Sequence, residues 1–215
     1  MSTTQGPGDP ATAPVAQVSN FNIANQLTVL RLVLVPVFLV CLLYDDGQSR
    51  EWRIAACVLF AVASYTDWID GQLARKRNLV TSFGKLADPI ADKALIGAAL
   101  IGLSSLGLLA WWVTVVVLVR EVGVTLLRFW VIRHGVIPAS RGGKVKTLLQ
   151  GVAIGLYLLP LSGALATARV VVMAAAVVVT VVTGIDYVAR ALTLRRTSER
   201  AAMKRARKAA QGRRQ

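Results

Sequence analysis

Histidine occurs once in this chain, at His134, and cysteine twice, at Cys41 and Cys57. No CxxC or Cys/His pattern is present to suggest zinc or redox chemistry, and His134 has no second histidine or cysteine with which to share a metal. Both cysteines fall in apolar runs and read as small buried hydrophobes, while His134 reads as an interfacial residue. Acid is scarce too: 11 Asp and Glu stand against 25 Lys and Arg, for a net charge of +14. No repeat of 20–50 residues is visible, which removes solenoids and propellers. Most telling is how little charge there is of either sign, 17% against 55% hydrophobic residues. For 215 residues that balance points to lipid rather than water as the solvent.

Apolar runs fall at about 27–44, 53–74, 86–110, 111–132, 144–162 and 167–192. A run of roughly 20 residues crosses a hydrocarbon core of about 30 Å as a helix, and unbroken runs rather than alternating ones select helices over a barrel. The expected fold is therefore all-α, an integral membrane protein with six transmembrane helices. Lys and Arg distribution sets the orientation. Arg75, Lys76, Arg77 and Lys85 flank the second connection, and Arg133, Arg141, Lys144 and Lys146 the fourth, whereas the alternate connections are poor in positive charge. Both basic connections, and hence both termini, are expected in the cytoplasm.

The chain divides into three parts. Residues 1–19 are rich in Pro, Ala, Thr and Gly with Asp9 as the lone charge, and read as disordered. They lack the basic n-region of a cleaved signal peptide. Residues 20–194 hold the six runs. Residues 195–215 form a basic tail with nine cations against Glu199. Such a block beside a membrane favours anionic lipid headgroups, at about 1 kcal/mol per basic residue. Without aromatics to stack on bases, nucleic acid is not the expected partner.

Against this scarcity of acid, Asp67, Asp70, Asp88 and Asp92 crowd one stretch between the second and third runs. Asp67 and Asp70 are three residues apart and Asp88 and Asp92 four, so each pair shares one helical face. An acid near the bilayer centre costs roughly 2.5–3.5 kcal/mol and is usually retained for function. Four carboxylates brought together repel one another unless cations intervene. Oxygen-only ligation selects a hard ion, Mg²⁺ or Mn²⁺, and Mg²⁺ is commonly shared between few carboxylates and substrate phosphates. For Asp88 alone a second reading stays open: followed by Pro89, it has the pattern of a helix N-cap.

The spacing Asp67-x-x-Asp70-Gly71-x-x-Ala74-Arg75, then Gly84-x-x-x-Asp88-x-x-x-Asp92, resembles the signature of the CDP-alcohol phosphatidyltransferase family at every position. The resemblance implies a six-helix membrane enzyme, usually a homodimer, whose cytoplasm-facing polar cavity lets an alcohol displace CMP from a CDP-linked lipid. Carried over, it makes Asp67, Asp70, Asp88 and Asp92 metal ligands, with Asp92 also the general base. Gly71, Ala74 and Arg75 would line the CDP-lipid site, with Thr81 and Gly84 beside them.

Three further stretches resemble the branch of that family whose acceptor is sn-glycerol 3-phosphate and whose donor is CDP-diacylglycerol. Asn25, Thr28 and Arg31 match its opening Asn-x-x-Thr-x-x-Arg pattern, with Ala24 where proline is common; Asn25 and Thr28 are assigned to the CDP-lipid. In "REVGVTLLR", Glu121, Thr125 and Arg128 share a face, with Arg120 beside them. "GGKVKTLLQ" adds Lys144 and Lys146. An acceptor phosphate needs an anion pocket, for which Arg31, Arg120, Arg128, Lys144 and Lys146 are the cations, with Tyr187 and Arg190 able to close it. Two alternatives remain for these residues: Arg120 and Glu121 as partners in intramembrane ion pairs, and Lys144 and Lys146 as orientation signals. Inositol phosphate or phosphatidylglycerol remains open as acceptor. A cation channel would spread its acids across the membrane depth, and a non-catalytic lipid binder would tolerate loss of single aspartates.

Overall fold

The computed structural model describes the backbone of residues 23–77, 82–131 and 141–212, and the side chains of residues 29–66, 93–127, 130, 143 and 145–195. These residues form six α-helices: α1 (Ile23–Leu43), α2 (Arg50–Arg77), α3 (Ser82–Ser105), α4 (Trp111–Val131), α5 (Arg141–Leu158) and α6 (Ala164–Gly212). No strand occurs among the described residues. Among them, one stretch, Ala164–Arg195 of α6, is by itself long and apolar enough to cross a membrane. Segments 1–19 and 132–140, with His134, lie outside the described residues.

Each of the six runs became one helix, but the ends moved for local reasons. The third run was expected to continue to residue 110, whereas α3 stops at Ser105. Gly107, at φ 68°, takes the left-handed position that only glycine adopts without cost, and the Gly107 and Leu108 N–H groups donate to the Ser104 and Leu103 carbonyls at 3.0 Å each. This pairing is a Schellman stop, and it satisfies carbonyls that a helix end would otherwise leave bare. Helix α5 ends at Leu158 rather than residue 162, because Pro160 disfavours a helical residue before it. At its other end α3 begins at Ser82, so Asp88 sits inside the helix; the N-cap reading of Asp88 is overturned. Helix α6 runs through the expected boundary at 194 as far as Gly212, since Arg, Lys, Ala, Gln and Met all favour a helix and neither proline nor glycine interrupts them.

Helix α1 packs on both α2 and α3, and α6 on both α4 and α5; the two trios meet where α2 and α3 touch α5 and where α3 touches α4. Small residues make the contacts close. Ala56, Ala63, Ala99, Ala153 and Ala176 are buried, and a Cβ on Gly102 would come within 2.7 Å of Leu42 Cδ2 on α1. Larger side chains fill between them: Phe38, Leu42, Leu100, Leu103, Ile154 and Leu158 are fully enclosed. Valine and leucine also cover much of the outside, including Val33 and Val40 on α1, Val58 and Val62 on α2, Val119 on α4, Leu148 on α5 and Val171 on α6.

The α1–α2 connection is held by a left-handed turn through Asp45, Asp46 and Gly47, with φ of 53°, 49° and 70°. Aspartate tolerates this region better than most residues, and Gly47 is required because a Cβ there would meet Leu106 Cδ1 at 2.7 Å. At the same end of the bundle, Arg53 of α2 caps α5. Its Nη2 donates to the Tyr157 and Leu159 carbonyls at 2.8 and 3.2 Å, and its Nε to the Leu158 carbonyl at 3.2 Å. A guanidinium placed there meets both the unpaired carbonyls and the negative end of the helix dipole.

Candidate active site: aspartates and a cation cluster at one end

Short turns join α1 to α2, α3 to α4 and α5 to α6, and collect those connections at one end of the bundle. The opposite end therefore holds the start of α1, the last turns of α2, the first turns of α3, the end of α4 and the start of α5. Most residues expected to carry chemistry belong to those segments, whereas Arg120 stands midway along α4 and Tyr187 lies on α6. Asp67, Asp70, Gly71, Ala74 and Arg75 lie in the final turns of α2. Gly84, Asp88 and Asp92 lie in the first three turns of α3, across the 78–81 connection. One turn of α2 separates Asp67 from Asp70, and one turn of α3 separates Asp88 from Asp92, at about 1.5 Å of rise per residue. The side chains of these aspartates and of Ala74 and Arg75 lie outside the described residues, as do Thr81 and the side chains of Asn25, Thr28, Arg128 and Lys144. Asn25 and Thr28 occupy the first two turns of α1, and Arg128 and Lys144 the last turn of α4 and the first of α5.

Where side chains are described, a cation cluster stands at the same end. Lys93, the residue after Asp92, donates from Nζ to the Thr125 hydroxyl of α4, and Thr125 in turn donates to the Glu121 carbonyl at 2.8 Å. The aspartate-bearing helix is thus fastened to the helix that carries the cations. Glu121 gathers two of them: its Oε1 takes Arg120 Nη1 at 3.2 Å and the Lys146 ammonium of α5. All three side chains are largely enclosed, Lys146 most of all at 7% exposure. A buried ion pair of this kind is costly to leave half-formed, because the remaining charge has no solvent to fall back on.

Arg120 extends the cluster to α6. Its Nε donates to the Thr180 carbonyl at 3.2 Å and its Nη2 to the Thr183 hydroxyl at 3.1 Å. Gly184 makes room for it: a Cβ there would lie 3.1 Å from Arg120 Cγ. The Arg120–Glu121 pairing that the sequence left open is therefore present. Thr180, Thr183 and Gly184 were not singled out from sequence. The available signal was two hydroxyls and a glycine at 180, 183 and 184 in a run otherwise made of valine, a pattern that helical spacing puts on one side of α6.

Of the remaining expected residues, Arg31 is buried at 2% exposure on α1 and Tyr187 is half-buried on α6. Arg190 turns elsewhere, holding Asp186 one turn back at 2.9 Å on an exposed face. Arg195, near the point where α6 leaves its apolar stretch, lies over the Trp130 ring of α4 with its guanidinium carbon 4.7 Å from the centroid.

The arrangement pairs an acid-rich helix junction with a buried cation cluster, the two kinds of group that a reaction between a nucleotide diphosphate and a phosphate-bearing acceptor requires. Comparison with known proteins agrees. The model of the CDP-alcohol phosphatidyltransferase family matches residues 21–182. A Mycobacterium tuberculosis protein named "Probable phosphatidylglycerophosphate synthase" is 63% identical over 171 residues, covering 80% of this chain and 82% of its own length. The Bacillus subtilis protein named CDP-diacylglycerol–glycerol-3-phosphate 3-phosphatidyltransferase is 42% identical over 149 residues, 65% of this chain and 77% of its own. A protein of the same name from Escherichia coli is 39% identical over 140 residues, 62% of this chain and 75% of its own. This chain belongs to the CDP-alcohol phosphatidyltransferase family.

Proposed function

We propose that the protein transfers the phosphatidyl group of CDP-diacylglycerol to the 1-hydroxyl of sn-glycerol 3-phosphate, yielding phosphatidylglycerophosphate and CMP. The carrying observation is the family's full aspartate pattern on the adjoining ends of α2 and α3, in a chain akin over most of its length to proteins named for that reaction.

In this reading the glycerol hydroxyl oxygen attacks the phosphorus that bears the diacylglycerol. The bond from that phosphorus to the bridging oxygen breaks, and CMP leaves with the electron pair. Asp92 takes the hydroxyl proton as general base. Asp67, Asp70, Asp88 and Asp92 would hold Mg²⁺ or Mn²⁺; their all-oxygen donor set suits a hard ion and no softer one. A divalent ion bound there supplies charge neutralisation of the diphosphate and stabilisation of the attacking and leaving oxygens. Arg75 offers a bidentate fork to a diphosphate oxygen, with Gly71, Ala74, Thr81, Gly84, Asn25 and Thr28 shaping the rest of the CDP-lipid site. Lys146 and Arg31, with Arg128, Lys144 and Tyr187, supply the pocket for the acceptor phosphate.

The same reading makes the protein multi-pass, with its termini and site on the cytoplasmic side of the cell membrane. Exposed valines and leucines on α1, α2, α4, α5 and α6 support lipid around the bundle, and the basic residues Arg75, Lys76, Arg77 and Arg141 in the connections at the site end support its cytoplasmic position. The basic residues after 194 would bind anionic headgroups, and the enzyme would work as a homodimer.

The test is an assay of purified protein with labelled glycerol 3-phosphate. Lipid product is expected only with CDP-diacylglycerol and a divalent ion together. Inositol phosphate and phosphatidylglycerol, offered in parallel, are expected to give none; product from either in preference to glycerol 3-phosphate would refute the acceptor assignment.

A further inference from the structure

Arginine grips a phosphate bidentately through a pair of parallel N–H groups, such as the edge formed by Nε and one terminal nitrogen. In Arg120 that edge is occupied by α6: Nε donates to the Thr180 carbonyl and Nη2 to the Thr183 hydroxyl. The remaining terminal nitrogen, Nη1, holds Glu121. Thr183 is itself fixed, since its hydroxyl donates to the Val179 carbonyl at 2.7 Å. Arg120 is thus anchored at three points in protein, with a protein partner on each of its three nitrogens.

Glu121 has the opposite character. Its backbone carbonyl is held by Thr125, its carboxylate is steered by Arg120, and what it presents to α5 is a fixed negative charge on which the Lys146 ammonium rests. Lysine has four rotatable bonds and a point charge, so an ammonium that must meet a phosphate at one place needs something to hold it there. Burial sharpens the need, since Lys146 at 7% exposure has little water to solvate it.

We infer that Arg120 and Glu121 are positioning residues that do not touch substrate: Arg120 locks Glu121 to α6, and Glu121 aims Lys146 at the phosphate of the acceptor. The inference rests on the reading that Lys146 binds that phosphate. It assigns the specificity for a phosphate-bearing acceptor to a relay spanning α6, α4 and α5, and leaves the CDP-lipid site outside the relay.

The experiment measures KM for each substrate separately, with kcat, on purified full-length variants whose thermal transition shows them folded. Glu121→Gln keeps shape and removes charge; its KM for glycerol 3-phosphate is expected to rise about tenfold, the effect of losing one buried charge partner, while KM for CDP-diacylglycerol stays within about twofold. Glu121→Asp, which keeps the charge one methylene back, is expected to recover part of the loss. Thr183→Val, which removes one anchor of Arg120 and disturbs the fold least, is expected to raise the acceptor KM by about two- to threefold. The exchange Glu121→Lys with Lys146→Glu restores an ion pair but moves the cation to α4, so it is expected to recover thermal stability without recovering the acceptor KM.

Recovery of the acceptor KM by the exchange would overturn the inference, because a stabilising pair alone would then suffice. So would an unchanged or lowered acceptor KM in Glu121→Gln. Lys146→Met separates this failure from failure of the underlying reading: if it raises the acceptor KM while Glu121→Gln does not, only the relay falls. If Lys146→Met itself leaves that KM unchanged, the assignment of Lys146 to the acceptor falls, and the relay with it.

Discussion

Arg53 Nη2 lies 2.8 Å from the Tyr157 carbonyl oxygen, a contact between the first turn of α2 and the last turn of α5 that spans 104 residues of sequence. With Nε on Leu158 and a second Nη2 contact on Leu159, it closes the end of α5 far from the aspartates. Hydrogen bonds from charged donors contribute about 1.5–3 kcal/mol each, so Arg53→Met is expected to destabilise the fold by at least about 3 kcal/mol. Thermal unfolding in detergent measures this. Because the contact sits at the end opposite the site, kcat/KM of the fraction that remains folded is expected to be unchanged.

Ser104 and Thr114 share a buried hydrogen bond of 2.7 Å between α3 and α4, and Thr114 also reaches the Leu100 carbonyl at 3.2 Å. Thr114→Val leaves the Ser104 hydroxyl without that partner and is expected to cost about 1–3 kcal/mol. Adding Ser104→Ala is expected to recover part of the loss, since no hydroxyl is then stranded. A thermal-shift double-mutant cycle checks the coupling; strict additivity would contradict it.

Gly184 is where Arg120 passes α6, with 3.1 Å between Arg120 Cγ and the position a Cβ would take. Gly184→Ala is expected to displace the guanidinium and raise KM for glycerol 3-phosphate by a few fold, whereas Gly155→Ala, where a Cβ meets nothing within 4 Å, is expected to leave both KM values alone. Steady-state kinetics on the pair distinguishes a contact at Arg120 from a general loss of helix flexibility.

Asp92→Asn removes the proposed proton acceptor, and kcat is expected to fall by about 10²–10⁴-fold, the usual worth of a general base. Chelation of divalent ions is expected to abolish turnover, and Mg²⁺ or Mn²⁺ to restore it. Undiminished activity in Asp92→Asn would refute the base assignment. Activity in the presence of excess chelator would refute the metal requirement.

Helix number and sequence were legible because hydropathy over 20 residues and helix propensity are local quantities. The stops were legible only in retrospect. Gly107 and Pro160 are ordinary helix terminators, yet each lies inside an apolar run, and the run length masked them. Asp88 before Pro89 misled in the other direction: a dipeptide that resembles a helix start stands within α3, which begins at Ser82. In the site, Arg120, Glu121, Thr125 and Lys146 were named from the sequence, with the Arg120–Glu121 pair as one open reading, but not that Lys146 joins that pair. The Lys93–Thr125 bond and the Thr180–Thr183–Gly184 seat for Arg120 depend on which helices are neighbours, and spacing along one helix carries no such information.

What the sequence determined by itself was the set of helices and the aspartate pattern, because both follow from residue type and separation within single segments. Only the tertiary structure decided that the edge of Arg120 faces α6, that Glu121 takes Lys146, and that Arg53 closes α5. Those choices are hydrogen bonds and ion pairs between helices, whose strength changes within an ångström or two, and the packing of small residues such as Gly102 and Ala99 sets those distances.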